Sequence, residues 1–324
     1  MKALTSLWLI FCCLICTSCQ KEKTSPKKLR LVLDRPVNPS HLPLYVGYAL
    51  GYFYDEGIVL EIQKHSTDHP LDLLLENRAD LVCASLPRVL RQISKKGGVA
   101  CVGKIFNRPL KGFVILTASG IKTIDDFNGR MMGVNGANCT LSSSEALLAE
   151  RNILIGVKRN AGDNAVPELM QGTIDILYGA LYNLEPEYLN SQGHKTRFFF
   201  TTDFGVPDYE ELVVAATSAL QANTKLVTSF QKALQKSIDV CKKNPERAFT
   251  LYKNLFYHKS GSDIQWEEVA WNKTLPYLVA TQKFSYKRVK LLADWLYEHG
   301  LISRPLDFAP HFASLVQAKQ DSAK

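Results

Sequence analysis

The chain has 324 residues, 46% of them hydrophobic and 22% charged, a balance that fits a globular protein and excludes a disordered or fibrous one. Its formal net charge is +8, but no basic patch interleaved with aromatic residues and no binding fingerprint points to nucleic acid. The length suffices for two domains, or for one domain with a large lobe.

Along the chain, the first 18 residues read as a secretory signal: Lys2, an apolar run from Leu7 to Ile15, then the small residues Thr17 and Ser18. That run is shorter than the roughly 20 apolar residues a spanning helix needs. Cys19 follows where a bacterial lipobox places its lipidated cysteine, with Cys16 at the position that usually carries Leu. The segment 19–28 then reads as an anchor and a basic tether. The expected protein is exported and held on a bacterial membrane by N-terminal lipid, facing the periplasm or the exterior. An ordinary cleaved signal and an uncleaved anchor are the competing readings. Of the remaining cysteines, Cys83, Cys101, Cys139 and Cys241 are widely spaced, with no metal-ligand spacing, and read as small core residues. No metal or cofactor is expected.

From Leu29 the pattern alternates. Strands are expected at Leu29–Asp34, Val59–Lys64, Asp80–Ser85 and Val99–Ile105, with helices at Leu42–Phe53, from Pro70, and from Pro87. A strand at Lys111–Ala118 has no crossover helix before it. A second α/β run follows: helix "TIDDFNG", strand "RMMGVNG", helices "SSSEALLAERN" and "AVPELMQG", strand "DILYGAL", helix "EPEYLNSQG" and strand "TRFFFT". Strand Glu211–Thr217 again lacks a crossover helix, and helices fill the rest, over Thr224–Lys243, Pro245–Phe256, Ile264–Leu278 and Tyr286–Gly300. Two such strands about 100 residues apart imply that the chain passes twice between two α/β lobes. The first lobe is expected over 29–112 plus 212–324 and the second over 113–211. Ligands of open α/β sheets bind beyond the carboxyl ends of the strands, so a cleft between the lobes is the expected site.

The segment "LDRPVNPSHLPLYVGYALGYFYDEGIVLEI" resembles the opening of the NMT1/THI5-like proteins, in which a strand leads through Asp-Trp-x-Pro-Asn-x-x-His into a helix and then Gly-Tyr-Phe-x-x-Glu-Gly. Asp34, Asn38, His41, Gly51, Tyr52, Phe53, Glu56 and Gly57 match, while Arg35 stands at the Trp position. Tyr182–Ala216, with Asn-x-Glu and Gly-Val-Pro-x-Tyr-x-Glu-Leu, is similar to a second block, and Leu292–Phe308 to the closing helix and turn. The resemblance implies an α/β fold of the two-lobed periplasmic-binding-protein type (type II). It further implies a solute-binding subunit that serves the permease and ATPase of an ABC importer. The subgroup it resembles binds a formylated aminopyrimidine, a precursor of the thiamine pyrimidine; other members take riboflavin or sulfonates. Fungal members are pyrimidine-forming enzymes with a cysteine cluster, which the expected mature chain lacks. A lipoprotein serving adhesion or signalling is a third reading.

Asn38 and His41 open the first helix at a strand's carboxyl end. They can pair with a polar heterocycle or simply cap the helix, with Ser40 the better cap. Arg35 replaces an indole that would stack on a heteroaromatic ring with a permanently charged plane. Glu185 could accept a bidentate pair from an amidine-like edge or sit as a solvated acid at a helix start, with Tyr182 and Asn183 beside it. Asn138 and Thr140, in a Gly-containing loop before the capping box Ser142 to Glu145, are further candidates. Ser85 could face the cleft or form a turn, and Tyr209 could line the cleft or brace the second crossing. Trp266, Trp271 and Trp295 read as packing residues, and His65 and His69 as loop residues with no metal.

Overall fold

The structure, a computed structural model, describes residues 25–63, 69–134, 146–204, 209, 211–256 and 264–316. The signal, Cys19, His65, Asn138, Cys139, Thr140 and the capping box lie outside the described residues.

Strand β1 (Lys27–Val32) shows why the first apolar run is nearly continuous. Leu29, Leu31 and Leu33 turn to one side of the sheet and Val32 to the other, and helices cover both sides. The first sheet contains β1, β2 (Ile58–Gln63), β3 (Leu81–Ala84), β4 (Val99–Lys104) and β10 (Leu212–Ala216), in the order β2-β1-β3-β10-β4. Strand β10 runs antiparallel to both its neighbours, as a strand arriving from another lobe would. The second sheet has β5 (Lys111–Leu116), β6 (Met131–Val134), β7 (Val157–Asn160), β8 (Ile176–Leu181) and β9 (Thr196–Phe200), in the order β7-β6-β8-β5-β9. Here β5 is the antiparallel strand. The chain therefore passes between sheets twice, once between β4 and β5 and once between β9 and β10.

Helices α1 (Leu42–Ala49), α2 (Tyr52–Asp55), α3 (Pro70–Leu75) and α4 (Leu86–Lys95) flank the first sheet. The second carries α5 (residues 146–149), α6 (Ala165–Met170) and α7 (Glu185–Ser191). After β10 come α8 (Thr217–Ala222), α9 (Thr224–Lys243), α10 (Pro245–Phe256), α11 (Ile264–Thr274) and α12 (Tyr286–Glu298). A two-residue pair, β11 (Phe284–Ser285) and β12 (Leu315–Val316), fastens the C-terminal segment. Asn223 caps α9 by accepting the Leu226 N–H at 2.9 Å, and Phe230 of that helix stacks on Phe53 at 5.4 Å. Gly47 lets α1 lie close to α9: a Cβ there would stand 2.7 Å from Phe53 Cε2 and 3.1 Å from Ser237 Cβ. Trp271 is core, 1% exposed. Cys83, Cys101 and Cys241 are buried free thiols.

The structure departs from the expected elements in three places. "TIDDFNG" forms only a 3-10 turn, Asp125–Phe127, because the Asp126 carboxylate takes the N–H groups of Lys122 and Thr123 and closes a turn instead. Strand β7 carries no apolar pattern, since all four of its residues are exposed at a sheet edge. Helix α8 begins directly at the end of β10, so Thr217 belongs to a helix and not to the expected strand, and the helical run starts before Thr224. Among the described residues, no helix is long and apolar enough to cross a membrane.

Candidate binding site

Beyond β1 the chain bends over Asp34–Val37 and enters a 3-10 helix, Pro39–His41. Asn38 is its cap: Oδ1 accepts the Ser40 N–H at 2.9 Å and Nδ2 donates to Pro36 O at 2.8 Å. The expectation that Ser40 would cap is therefore corrected. Ser40 is fully buried and accepts a hydrogen bond from Asn183 at 3.1 Å. Asn183 also donates to Thr274 Oγ1 at 2.7 Å, so the chain two residues beyond β8 of the second sheet rests on the first lobe. The carboxyl ends of β1 and β8 thus meet.

At that meeting point lies an ion cluster that only the fold assembles. Asp34 is 6% exposed, His41 0% and Glu211 1%. His41 Nε2 is 3.2 Å from Asp34 Oδ1 and 3.5 Å from Glu211 Oε2. Arg35 Nε is 3.1 Å from Asp34 Oδ2 and 3.8 Å from Glu211 Oε1. Burial pushes the Asp34 carboxyl up, but the Arg35 guanidinium and the His41 hydrogen bond outweigh it and hold the acid well below the usual range. Burial likewise pushes His41 down, and its bonds to Asp34 and Glu211 overcome this and lift it to about 9. The Asn38 amide, 3.3 Å from Nδ1, opposes a proton there. Two charged acceptors decide the direction against one neutral donor.

Glu211 is the unusual member. Its backbone is left-handed, φ 51°, a strained setting for a side-chain-bearing residue. Its carbonyl accepts the Ile105 N–H at 3.0 Å and ties the two crossings together. Both carboxylate oxygens are buried, and Arg35 at 3.8 Å and His41 at 3.5 Å hold them at ion-pair rather than close hydrogen-bond distance. Acceptors held so loosely are costly unless a closer donor arrives.

Asp34, His41 and Glu211 present donor atoms within 4.8 Å of one another, as a metal site would. The chemistry does not fit an ion: Arg35 and protonated His41 already balance the two carboxylates, and a divalent cation would have to displace both. Away from the cluster, a cavity of about 510 Å³ opens between the first sheet and α9, lined by apolar residues such as Leu29, Leu81, Val102 and Phe230.

The other candidates spread around this centre. Ser85 is 6% exposed and stands where β3 leads into α4, without a side-chain cap bond. Tyr182 joins an aromatic group, 4.9 Å from Phe200 and 6.1 Å from Tyr277. Glu185 opens α7, and its Oε2 accepts the Leu181 N–H at 2.7 Å, so the acid reaches back to the last residue of β8. Tyr209 is 3% exposed and accepts the Ser285 N–H at 3.3 Å. Two members of the cluster, Asp34 and Glu211, are not among the sequence candidates. Asp34 stood inside the matched opening motif, and Glu211 was the acid directly before the β10 apolar run.

The family model described as NMT1/THI5 like matches residues 38–248, about two thirds of the chain, a range that holds His41 and Glu211 of the cluster and begins just after Asp34 and Arg35. The chain belongs to the NMT1/THI5-like family. A Haemophilus influenzae protein named for thiamine biosynthesis is 25% identical to it over 288 residues, covering 86% of this chain and 90% of that protein. The formylaminopyrimidine-binding protein of Halalkalibacterium halodurans is 26% identical over 269 residues, covering 78% of each. Among solved structures, the alkanesulfonate-binding protein of Xanthomonas axonopodis pv. citri bound to MOPS superposes with a TM-score of 0.69 at 14% identity, over 91% of this chain and all of that one. This NMT1/THI5-like chain therefore has the two-lobed periplasmic-binding-protein fold, with its ion cluster where the lobes join.

Proposed function

We propose that the protein is the solute-binding subunit of an ABC importer. It takes a small heteroaromatic solute rich in N–H donors, such as an aminopyrimidine, between its lobes. The observation that carries this reading is the pair of buried Glu211 oxygens, which Arg35 and His41 hold only at ion-pair distance. A ligand N–H edge satisfies them with charge-assisted bonds worth about 1.5–3 kcal/mol each. The formylaminopyrimidine-binding relative supports the solute class. Arg35 turns its guanidinium to Asp34 and Glu211. Its charge is thereby engaged within the protein, which disfavours a sulfonate as the solute. Closure of the lobes about the two crossings accompanies binding and requires no bond-making chemistry. The exported chain is held on the membrane through lipid on Cys19.

Calorimetric titration with a formylated aminopyrimidine, riboflavin and an alkanesulfonate tests this. Only the aminopyrimidine is expected to bind, and Glu211→Gln is expected to weaken it by at least about tenfold. Binding of the sulfonate in preference, or an unchanged Glu211→Gln titration, overturns the proposal.

A further inference from the structure

Lys104, the last residue of β4, is a buried cation, 5% exposed. Its backbone is clamped by one side chain: Gln282 Oε1 accepts the Lys104 N–H at 2.9 Å, and Gln282 Nε2 donates to Lys104 O at 3.1 Å. The ammonium then lies against two rings, 4.9 Å from the centroid of Tyr209 and 5.3 Å from that of Phe284. Among the described residues it donates to one neutral acceptor, the Lys283 carbonyl, at 2.6 Å. An ammonium has three donors.

A second cation stands beside it. The Arg288 guanidinium of α12 lies 4.4 Å over the same Tyr209 ring and donates to Asn107 O. Among the described residues, neither Lys104 nor Arg288 has an acid at ion-pair distance. Burial and the Arg288 charge pull the Lys104 ammonium down to about 8, and no carboxylate pulls it back. Lys283 and Lys287, both exposed, add to the positive field of this segment. Other shielded cations of the fold are matched: Arg35 by Asp34 and Glu211, and Lys273 by Glu187. Buried charge is ordinarily paired. The aromatic faces offset part of the cost of burying Lys104, but they leave two like charges facing each other.

We propose that Lys104 and Arg288 form a binding site for a small oxyanion carrying two negative charges, of the phosphate or sulfate class, at the base of the two crossings. Two cations call for two charges, and a point-charge ammonium beside a forked guanidinium suits a tetrahedral oxyanion. The site is separate from the solute site. Tyr209, Phe284 and Leu212, the register partner of Lys104, belong to one core, while Leu33 and Leu42, next to Asp34 and His41, belong to the other. Bound there, the anion ties the first crossing, through Arg288 and Asn107, to the second, through Tyr209.

Calorimetric titration of the full chain at pH 7 with sodium sulfate, inorganic phosphate and sodium acetate, at an ionic strength held constant with chloride, tests this. Sulfate and phosphate are expected to bind at one site, and acetate at least about tenfold more weakly. Lys104→Met and Arg288→Met should each weaken sulfate binding by at least about tenfold, the loss of one charge-assisted bond. Thermal melts check that each variant is folded; if Lys104→Met is not, the half-buried Arg288 carries the comparison. A wild type that binds neither sulfate nor phosphate overturns the proposal, as does a folded Arg288→Met that binds sulfate like the wild type. Acetate bound as tightly as sulfate overturns it as well, because one charge would then suffice. None of these titrations contains the solute, so their outcome is independent of the function proposed above.

Discussion

Glu211 and His41 show what one residue can carry. Two carboxylates buried side by side are tolerable only because Arg35 and a protonated His41 stand between them. Removing His41 leaves that charge short of a partner, and His41→Ala is expected to lower unfolding stability by about 3–5 kcal/mol in urea titrations. The pH profile follows from the signs. His41 is raised to about 9 in the fold, so its contribution is complete below about 6.5 and fades as pH rises toward 9. Asp34 is depressed, so its contribution is present above about pH 4 and fades as acid protonates it. Urea titrations between pH 4 and 10 should show the alkaline decline in the wild type and lack it in His41→Ala. Asn38 and His41 were legible in the sequence as a polar pair between strand and helix. Asn38's capping bond is local and was one of the readings the sequence offered, but His41's burial in a charge cluster was not, because it depends on how Glu211 comes to lie beside it.

At the scale of elements, periodicity served well wherever both faces of a strand, or one face of a helix, had to be buried. Strands β1, β3, β4 and β8 and helix α9 read clearly for that reason. It failed at β7, whose side chains face water and leave no apolar signal, and at "TIDDFNG", where one aspartate's local bonds outcompete a helix. Packing between elements was also invisible. Gly47 in "LYVGYAL" reads as a mild helix weakness, yet it is where α1 meets Phe53 and Ser237. Gly47→Ala should therefore destabilise by about 1–3 kcal/mol, the usual penalty of overpacking, although alanine favours a helix. A thermal melt decides: a rise in Tm would show that propensity outweighs the clash.

Across the whole molecule, the two strands without crossover helices imply two lobes, and the antiparallel β5 and β10 occupy those places in their sheets. The lobes are joined beyond the crossings by Asn183 with Ser40 and Thr274, by Lys273 with Glu187, and by Glu150 with Trp295 and His299. Export and anchoring also belong to this scale. Cys19→Ala is expected to move the protein from the membrane fraction to the soluble one, and unchanged fractionation would remove the lipid anchor. By itself the sequence determined the fold class, the family and the stretch at which a site begins, because hydrophobic period and short motifs are local properties of a chain. Only the tertiary structure decided that Asp34, Arg35 and His41 face Glu211, some 170 residues later in the chain. Charge pairing acts through space, and no local pattern records which distant acid the fold will bury against them.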